Sequence, residues 1–247
     1  YTVSDAPFNE IKKLAIENKI QVQIHLHETQ FEIDEALQSS GMRPIQRLAN
    51  IGLLSKDLSL QCVHMTALNE QDIKTLQKSN AHIIHCPESN LKLASGFCET
   101  DKLLKMGINV ALGTDGAASN NDLDMFGEMR TAALIAKPIA KDASAFDAIT
   151  AIESATINGA KAMGIDHITG SLEPGKSADF IAIDLNRLNS RPNYSIHSDI
   201  VYSVNSQQVS HHWIRGEQLL KDSELITIDE SALLKNAQEW AKKIQQT

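Results

Sequence analysis

Four short apolar runs, each followed by a segment with helical spacing, most constrain the fold of this chain. They cover residues 21–27, 59–64, 81–86 and 109–113; each holds at least one β-branched residue, and polar side chains lie at or just after the end of each. Regular alternation of strand and helix predicts βα units whose strands pair in parallel. The sequence therefore predicts an α/β fold built around a parallel sheet.

Apolar residues at helical spacing surround these runs. The first helix is predicted to begin near Pro7, with Asp5 as its cap. Further helical segments cover residues 33–54, with an interruption near Gly41 and Pro44, and residues 69–77, 100–106, 122–136 and 145–163. The segment after Pro87 is predicted to be a loop, because proline ends the preceding run.

Polar side chains gather at or just after the C-terminal ends of the predicted strands. They are His25, Glu28, His64, Ser89, Asn90 and Asp115. In a parallel barrel this end of the strands is the catalytic face, because the βα loops converge there. Four strands cannot close such a barrel, which takes eight. We therefore expect about half of a barrel to lie N-terminal to Tyr1.

The character of the sequence changes after Gly164. The elements predicted there are a turn-rich segment at 170–176, a strand at 178–184, a hairpin at 209–221 divided by Gly216, and an amphipathic helix at 231–244. We therefore divide the chain into barrel units, residues 1–165, and a C-terminal part, residues 166–247, that forms a small β subdomain and a helix.

Composition excludes several classes of protein. The 247 residues carry a formal net charge of -8, which argues against a nucleic-acid polymer as partner because such a partner usually needs a basic face. No apolar run approaches the roughly 18 residues of a membrane span. Three cysteines without CxxC spacing predict reduced thiols and a cytoplasmic location: Cys62, Cys86 and Cys98.

The strand-end residues have the chemistry of a hydrolytic metal site. A divalent metal such as zinc binds imidazole nitrogen and carboxylate oxygen, and a catalytic site keeps one position for water. His25 and Asp115 are suited to be ligands. His64 could be a third ligand or could hydrogen-bond the metal-bound hydroxide. Glu28 could carry a proton between that water and a leaving nitrogen.

Each of these residues also has an ordinary structural interpretation. A strand-end histidine is often a structural hydrogen-bonder, and Asp115 alone could be a turn residue. Their common position at one end of successive strands favours the metal site. His25 and His27 form a His-x-His pair, but only one βα step separates them from His64. We therefore place His25 on a fifth barrel strand as a ligand, and expect His27 to support a ligand or to face the substrate.

Four segments resemble the amidohydrolase superfamily and, within it, the 5-methylthioadenosine/S-adenosylhomocysteine deaminases. They are HLHET at 25–29, CVH at 62–64, HCPESNLKLASG at 85–96 and LGTDGAASNN at 112–121. The opening residues 1–5 resemble the stretch after the family's fourth strand, and residues 170–179 resemble the turn into its β-sandwich subdomain. The resemblance implies the C-terminal half of a (β/α)8 TIM-type metal-dependent hydrolase barrel, from about helix 4 to helix 8, plus a segment of that sandwich.

The resemblance also implies roles for the polar residues. His25 would be the strand-five ligand of one divalent metal, with Zn²⁺ favoured and Fe²⁺ as an alternative. Asp115 would be the strand-eight ligand and would take a proton from the attacking water. His64 would orient the hydroxide or the developing tetrahedral oxygen. Glu28 would face the purine and protonate a ring nitrogen.

The implied reaction is hydrolytic deamination of the adenine ring of 5-methylthioadenosine or S-adenosylhomocysteine, which releases ammonia and leaves the hypoxanthine product. Ser89 and Asn90 would shape the substrate pocket. Alternatives are a hydrolase of another heterocycle, such as guanine or a triazine, and a non-catalytic truncated paralogue. The family's first-strand His-x-His pair has no counterpart here, so we expect inactivity without an N-terminal part of the same protein. The resemblance further suggests a homodimer.

Overall fold

The first part of the chain forms a four-stranded parallel sheet. In the computed structural model, which describes residues 3–245, its strands are β1 (Val22–Leu26), β2 (Ser59–His64), β3 (Asn80–His85) and β4 (Asn109–Leu112). They pair in chain order, with β1 and β4 at the two edges. Residues 1 and 2 of the opening segment and residues 246 and 247 lie outside the described range. The predicted α/β fold is confirmed.

Within residues 3–245, nine helices precede, connect or follow the strands of this sheet up to residue 162. They are α1 (Asp5–Asn18), α2 (Gln30–Ser40), α3 (Pro44–Ile51), α4 (Glu70–Gln77), α5 (Pro87–Lys92), α6 (Thr100–Lys105), α7 (Met125–Ala140), α8 (Ala148–Ser154) and α9 (Ile157–Ala162). The interruption near Gly41 and Pro44 is confirmed: Gly41 ends α2 with φ 69°, and Pro44 begins α3. Glycine adopts that backbone without a Cβ penalty, and proline fits the first turn of a helix.

Three predicted helix details are wrong. Ser4, and not Asp5, occupies the cap position of α1, and Asp5 is the first helical residue. The segment after Pro87 is a short helix, because proline at its start presets the helical φ. The helix predicted over 145–163 is broken at Thr156, whose hydroxyl donates to Ile152 O at 2.7 Å and competes with the helical hydrogen bond to that carbonyl.

The C-terminal part forms a second, antiparallel sheet. Its strands are β5 (Phe180–Ile183), β6 (Val209–Ile214), β7 (Glu217–Lys221) and β8 (Glu224–Leu225), paired in that order. The predicted hairpin and the final helix, α11 (Glu230–Gln245), are confirmed. A helix that the sequence did not predict, α10 (Ile196–Tyr202), packs against α7 and α8. The division of the chain near residue 165 stays a prediction.

The core lies between the parallel sheet and its helices. Five of the six residues of β2 are buried, and Leu60 and Cys62 are at most 1% exposed. Ile73 of α4 and Leu103 of α6 are fully buried beside the sheet. Burial of apolar side chains on this scale fixes the strands, so their C-terminal ends form a rigid base for the site. Among the helices of residues 3–245, none combines the length and apolarity that a membrane crossing needs.

Candidate metal centre and active site

Three side chains from separate strand ends meet at one point. His25 lies on β1, His64 ends β2, and Asp115 follows β4. One potential ligand atom of each lies within 4.8 Å of the others. His25 Nε2 is 3.7 Å from Asp115 Oδ1, and His64 Nε2 is 4.0 Å from Asp115 Oδ2. Two imidazole nitrogens and a carboxylate oxygen form a donor set that fits a single zinc ion.

The backbone at these strand ends is left-handed. His64, Met65 and Asp115 have φ values of 75°, 54° and 60°. This region is unfavourable for residues other than glycine and recurs at functional sites. The turn is held by backbone hydrogen bonds to the strand beside it: Met65 N–H donates to Leu26 O, and Thr66 N–H donates to His27 O. These hydrogen bonds therefore stabilise the unfavourable backbone conformation at the strand end that carries His64.

Two serine hydroxyls fix the Asp115 carboxylate. Ser89 Oγ and Ser119 Oγ each donate to Asp115 Oδ2 at 2.8 Å. Burial raises the pKa of Asp115, but hydrogen bonds from Ser89, Ser119 and the Gly116 N–H outweigh that effect, so the net pKa lies below its usual value. The carboxylate is therefore ionised at neutral pH, as a metal ligand must be.

Ser89 is fully buried, and the contact that the structure gives its hydroxyl is with Asp115. Its expected role in the substrate pocket stays a prediction. Ser119 was missed by the sequence reasoning, although it lies inside the motif at 112–121 that carries Asp115. The spacing of four residues between Asp115 and Ser119 is the signal that could have found it.

His64 is oriented by Asn90. The Asn90 Oδ1 atom lies 2.8 Å from His64 Nδ1. With the amide in this orientation its oxygen can only accept, so the His64 proton is on Nδ1 and the lone pair is on Nε2. That nitrogen points between Glu28 Oε2, at 3.8 Å, and Asp115. The structure thus brings Asn90 into the site through His64, while its contact with substrate stays a prediction.

Glu28 lies beside His64 and is held from two sides. Ser95 Oγ donates to Glu28 Oε1 at 3.0 Å, and Thr66 Oγ1 donates to the Glu28 backbone oxygen at 2.6 Å. The Glu28 side chain is 16% exposed, so its carboxylate borders both the cluster and the solvent. Ser95 lies in the motif at 85–96 but was not assigned a role from the sequence. Its contact holds the Glu28 carboxylate beside His64.

The ring of His27 lies in the core. Its side chain is fully buried, its Nδ1 lies 3.0 Å from Ala67 O, and its Nε2 accepts the Ile45 N–H at 3.1 Å. Burial lowers the pKa of His27 to about 4, so the ring is neutral at neutral pH. This burial argues against the substrate-facing role that was one of the two expected for His27, and the role of supporting a ligand stays a prediction. Alternate strand residues share a face only while the strand stays regular, and His27 follows β1 with φ 52°.

His85 ends β3 and is also buried, at 2% exposure. Neither of its ring nitrogens has a hydrogen-bond partner within residues 3–245. Burial, together with the neighbouring His64, lowers the pKa of His85 to about 3. His85 is therefore a neutral, buried side chain close to His64.

A groove opens beside the cluster. It has a volume of about 1120 Å³ and is lined by His25 and Glu28 together with residues of α1, α2 and α3. It lies along β1, which is an edge strand of the parallel sheet. Its size is of the order of small-molecule sites in proteins, so it can admit a ligand to the metal-binding residues.

Comparison with known protein families identifies the family of the chain. The model of the amidohydrolase family matches residues 1–219. The chain therefore belongs to the amidohydrolase family, and the resemblance read from the motifs is confirmed. Curated relatives of the chain carry a more specific name than that of the family. The chain is 52% identical over 244 residues to a 5-methylthioadenosine/S-adenosylhomocysteine deaminase of Teredinibacter turnerae, covering 99% of this chain and 55% of the relative.

A second relative with that name, from Saccharophagus degradans, is 51% identical over 245 residues and is covered over 54% of its length, against 99% of this chain. The chain thus spans about half the length of the curated relatives it matches. Among solved structures, an adenosine deaminase from Xanthomonas campestris with bound zinc has a TM-score of 0.97 at 44% identity, covering 100% of this chain and 56% of that one.

A zinc complex of atrazine chlorohydrolase from Arthrobacter aurescens has a TM-score of 0.89 at 21% identity, covering 96% of this chain and 52% of that chain. At this identity the likeness shows the fold alone. Together these structures confirm the predicted fold class, with four βα units and a separate antiparallel sheet.

Proposed function

We propose that the protein containing this chain is a zinc-dependent aminohydrolase that deaminates 5-methylthioadenosine and S-adenosylhomocysteine. Water replaces the exocyclic amine of the adenine ring, so the products are ammonia and the hypoxanthine nucleoside. The observation that carries the proposal is the cluster of His25, His64 and Asp115, with the Glu28 carboxylate 3.8 Å from His64. The relatives at 51–52% identity support the substrate class.

His25 and Asp115 would hold the metal. When bound, zinc lowers the pKa of a coordinated water to about 7 and so supplies a nucleophile at neutral pH. Asp115 is suited to accept the proton of the attacking water because its Oδ1 is free of the two serine hydroxyls, which both donate to Oδ2. Further ligands would come from an N-terminal part of the protein.

His64 would orient the attacking water. With its proton on Nδ1 toward Asn90, its Nε2 accepts a hydrogen bond from the water and directs the oxygen toward the ring carbon. Glu28 would protonate a ring nitrogen next to that carbon, which makes the ring a better electron acceptor for the attack. Asp115 would then pass the first proton of the water to the amine, and Glu28 would take back the second as the carbonyl forms. The C–N bond breaks, ammonia departs and both carboxyl groups are restored.

Other heterocycles would use the same residues. Guanine or a triazine also offers a ring nitrogen for Glu28 and a leaving group on the adjacent carbon. The relatives named 5-methylthioadenosine/S-adenosylhomocysteine deaminase, at 51–52% identity, support an adenine nucleoside among these substrates. The adenine nucleoside is therefore the proposed substrate.

The remaining proposals concern the N-terminal part of the enzyme, its cellular compartment and its oligomeric state. An N-terminal part would complete the sheet at β1 and β4 and close the groove. The three cysteines are buried free thiols, which supports a reducing compartment such as the cytoplasm. The homodimer suggested by the resemblance stays a prediction.

The test is ammonia release by the full-length gene product loaded with zinc. The substrates are 5-methylthioadenosine, S-adenosylhomocysteine, adenosine, guanine and a chlorotriazine, with chloride release followed for the last. Release of ammonia from the first two, with much lower rates for the others, supports the proposal. A folded, zinc-bound protein that turns over guanine or the triazine but neither adenosyl thioether contradicts it.

A further inference from the structure

A buried carboxyl group lies behind the site on α7. The Glu128 side chain is fully buried. Its Oε1 accepts a hydrogen bond from Asn120 Nδ2, and its Oε2 accepts the backbone N–H of Glu88 at 3.3 Å. Asn120 belongs to the loop between β4 and α7, and Glu88 lies at the start of α5. One side chain thus joins two segments that are distant in sequence.

These two segments are the ones that hold Asp115. Ser119 precedes Asn120, and Ser89 follows Glu88. Both serine hydroxyls donate to the same Asp115 oxygen at 2.8 Å. Because each serine is the immediate neighbour of a Glu128 partner, a shift of either segment would move one of the two hydroxyls that orient the carboxylate.

Other contacts stiffen the same junction. Asn120 Oδ1 accepts the Leu123 N–H at 3.0 Å, which fixes the loop end. Thr131 of α7 donates to Glu88 Oε1 at 2.9 Å. A Cβ at Gly127 would come within 2.9 Å of Glu88 Oε1, so the absence of a side chain there allows α5 to approach α7. The junction is built for close contact between helix and loop.

A carboxyl group is a costly way to fill a buried position. Desolvation penalises its charged form, and an apolar side chain of similar size would not carry that cost. Burial and the nearby Glu88 carboxylate raise the pKa of Glu128 to about 8. Both carboxyl oxygens can accept a hydrogen bond in the protonated as in the ionised form, so the group offers two acceptors aimed at two separate segments.

We propose that Glu128 is a positioning residue for Asp115: it joins Asn120 to the Glu88 N–H and so sets the relative position of Ser119 and Ser89. This inference rests on the proposed role of Asp115 as metal ligand and proton acceptor. Groups that orient a ligand from behind typically change metal affinity or activity by about 10- to 100-fold when they are removed. Glu128 acts through a further residue, so we expect the lower end, about 10-fold.

The test compares Glu128→Gln, Asn120→Ala and the double variant in the full-length protein. The readouts are the zinc dissociation constant by chelator competition, kcat, and the melting temperature of the metal-free protein. Glutamine keeps the shape of Glu128 but can accept at only one of its two positions. The control is Met129→Ala, which removes a core side chain of the same helix that is 6% exposed and takes part in neither of the Glu128 hydrogen bonds described above.

Each single variant is expected to weaken zinc binding and lower kcat about 10-fold, and the double variant to lose no more than either alone, because both break one connection. Met129→Ala is expected to lower the melting temperature with unchanged zinc affinity. Zinc affinity within twofold of the parent in both single variants overturns the proposal. So does an equal loss of zinc affinity in Met129→Ala.

If Glu128→Gln fails to fold, Asn120→Ala tests the same connection, because it removes the partner of Glu128 in the loop between β4 and α7. Zinc affinity is measured without substrate, so the outcome is independent of the reaction assigned to the protein. The variants could weaken zinc binding in a protein that deaminates no adenosyl thioether. That result would contradict the proposed function and would still support the positioning role of Glu128.

Discussion

His25 Nε2 and Asp115 Oδ1 lie 3.7 Å apart although their strands form opposite edges of the parallel sheet. Three strand spacings in a flat sheet would separate the edges by roughly 14 Å. Both side chains therefore reach toward each other across the two strands between them. This convergence brings a candidate metal site together from residues 90 positions apart in the sequence.

Replacement of Asp115 by asparagine should abolish turnover and weaken zinc binding. The amide keeps the size of the side chain, and its oxygen can still accept from Ser89, but it carries no charge for the metal and accepts no proton from water. We expect kcat to fall at least about 10³-fold, within the range of a lost acid–base group together with a lost ligand. Zinc content by metal analysis and ammonia release measure the two effects. Asp57→Asn, at an exposed position, is the matched control and should change neither.

Glu28→Gln should separate proton transfer from metal binding. The glutamine can still accept from Ser95, so the site keeps its shape, but it cannot protonate a ring nitrogen at neutral pH. Turnover should fall about 10²- to 10⁴-fold, while the zinc content stays that of the parent. Glu10→Gln on the exposed side of α1 is the control. Loss of zinc from Glu28→Gln would show that Glu28 acts as a ligand and that the division of roles is wrong.

Residues 1–247 produced as a separate polypeptide should bind zinc weakly and release no ammonia from 5-methylthioadenosine. The described cluster offers two histidines and one carboxylate from an open sheet, and the proposed N-terminal ligands are absent from this piece. Metal titration followed by chelator competition is the measurement. Addition of the N-terminal part should raise zinc affinity. Tight stoichiometric zinc on the separate piece would contradict the proposed sharing of the site between the two parts.

The stability of the protein should depend on pH through Glu128. Its pKa is raised to about 8 in the folded protein from 4.5. Between these values the unfolded chain has lost a proton that the folded protein keeps, so the folded state binds more protons and the free energy of unfolding falls as pH rises. The slope for this one group is at most about 1.4 kcal/mol per pH unit.

Glu128→Gln removes that titration. Unfolding should be followed by denaturant titration at pH 5, 6, 7 and 8 in parent and variant. The parent should lose stability relative to the variant as pH rises across this range. Parallel curves for the two proteins would show that Glu128 titrates near its ordinary pKa and is hydrated in solution.

The sheet and the meeting point of the site were predictable because both follow from local patterns. Short apolar runs mark the strands, and parallel strands bring their C-terminal ends to one face, so His25, His64 and Asp115 had to lie together. The motif segments added roles to these residues. The boundaries of β2 were predicted to the residue, because Leu60, Cys62 and Val63 mark the strand and His64 ends it.

What the sequence did not predict depends on contacts between distant segments. Glu128 looks like an ordinary helical glutamate, and only the fold places it between Asn120 and Glu88. The burial of His27 requires the Ile45 and Ala67 backbone groups, which come from other elements. The helix α10 follows a segment rich in Asn, Ser and Pro and has only seven residues, too short for a helical period to stand out.

The left-handed turn at Met65 limits how this region can change. Met65 is fully buried and has φ 54°. Glycine would relax the backbone but leave a cavity, and valine or isoleucine would fill the space but resist that φ. None of these substitutions relieves the backbone strain and also fills the space of the methionine side chain, so each one loses either packing or a favourable backbone conformation. In a library of all residues at position 65, few variants should keep the turn that presents His64. Directed evolution at this position should therefore yield few variants with higher stability.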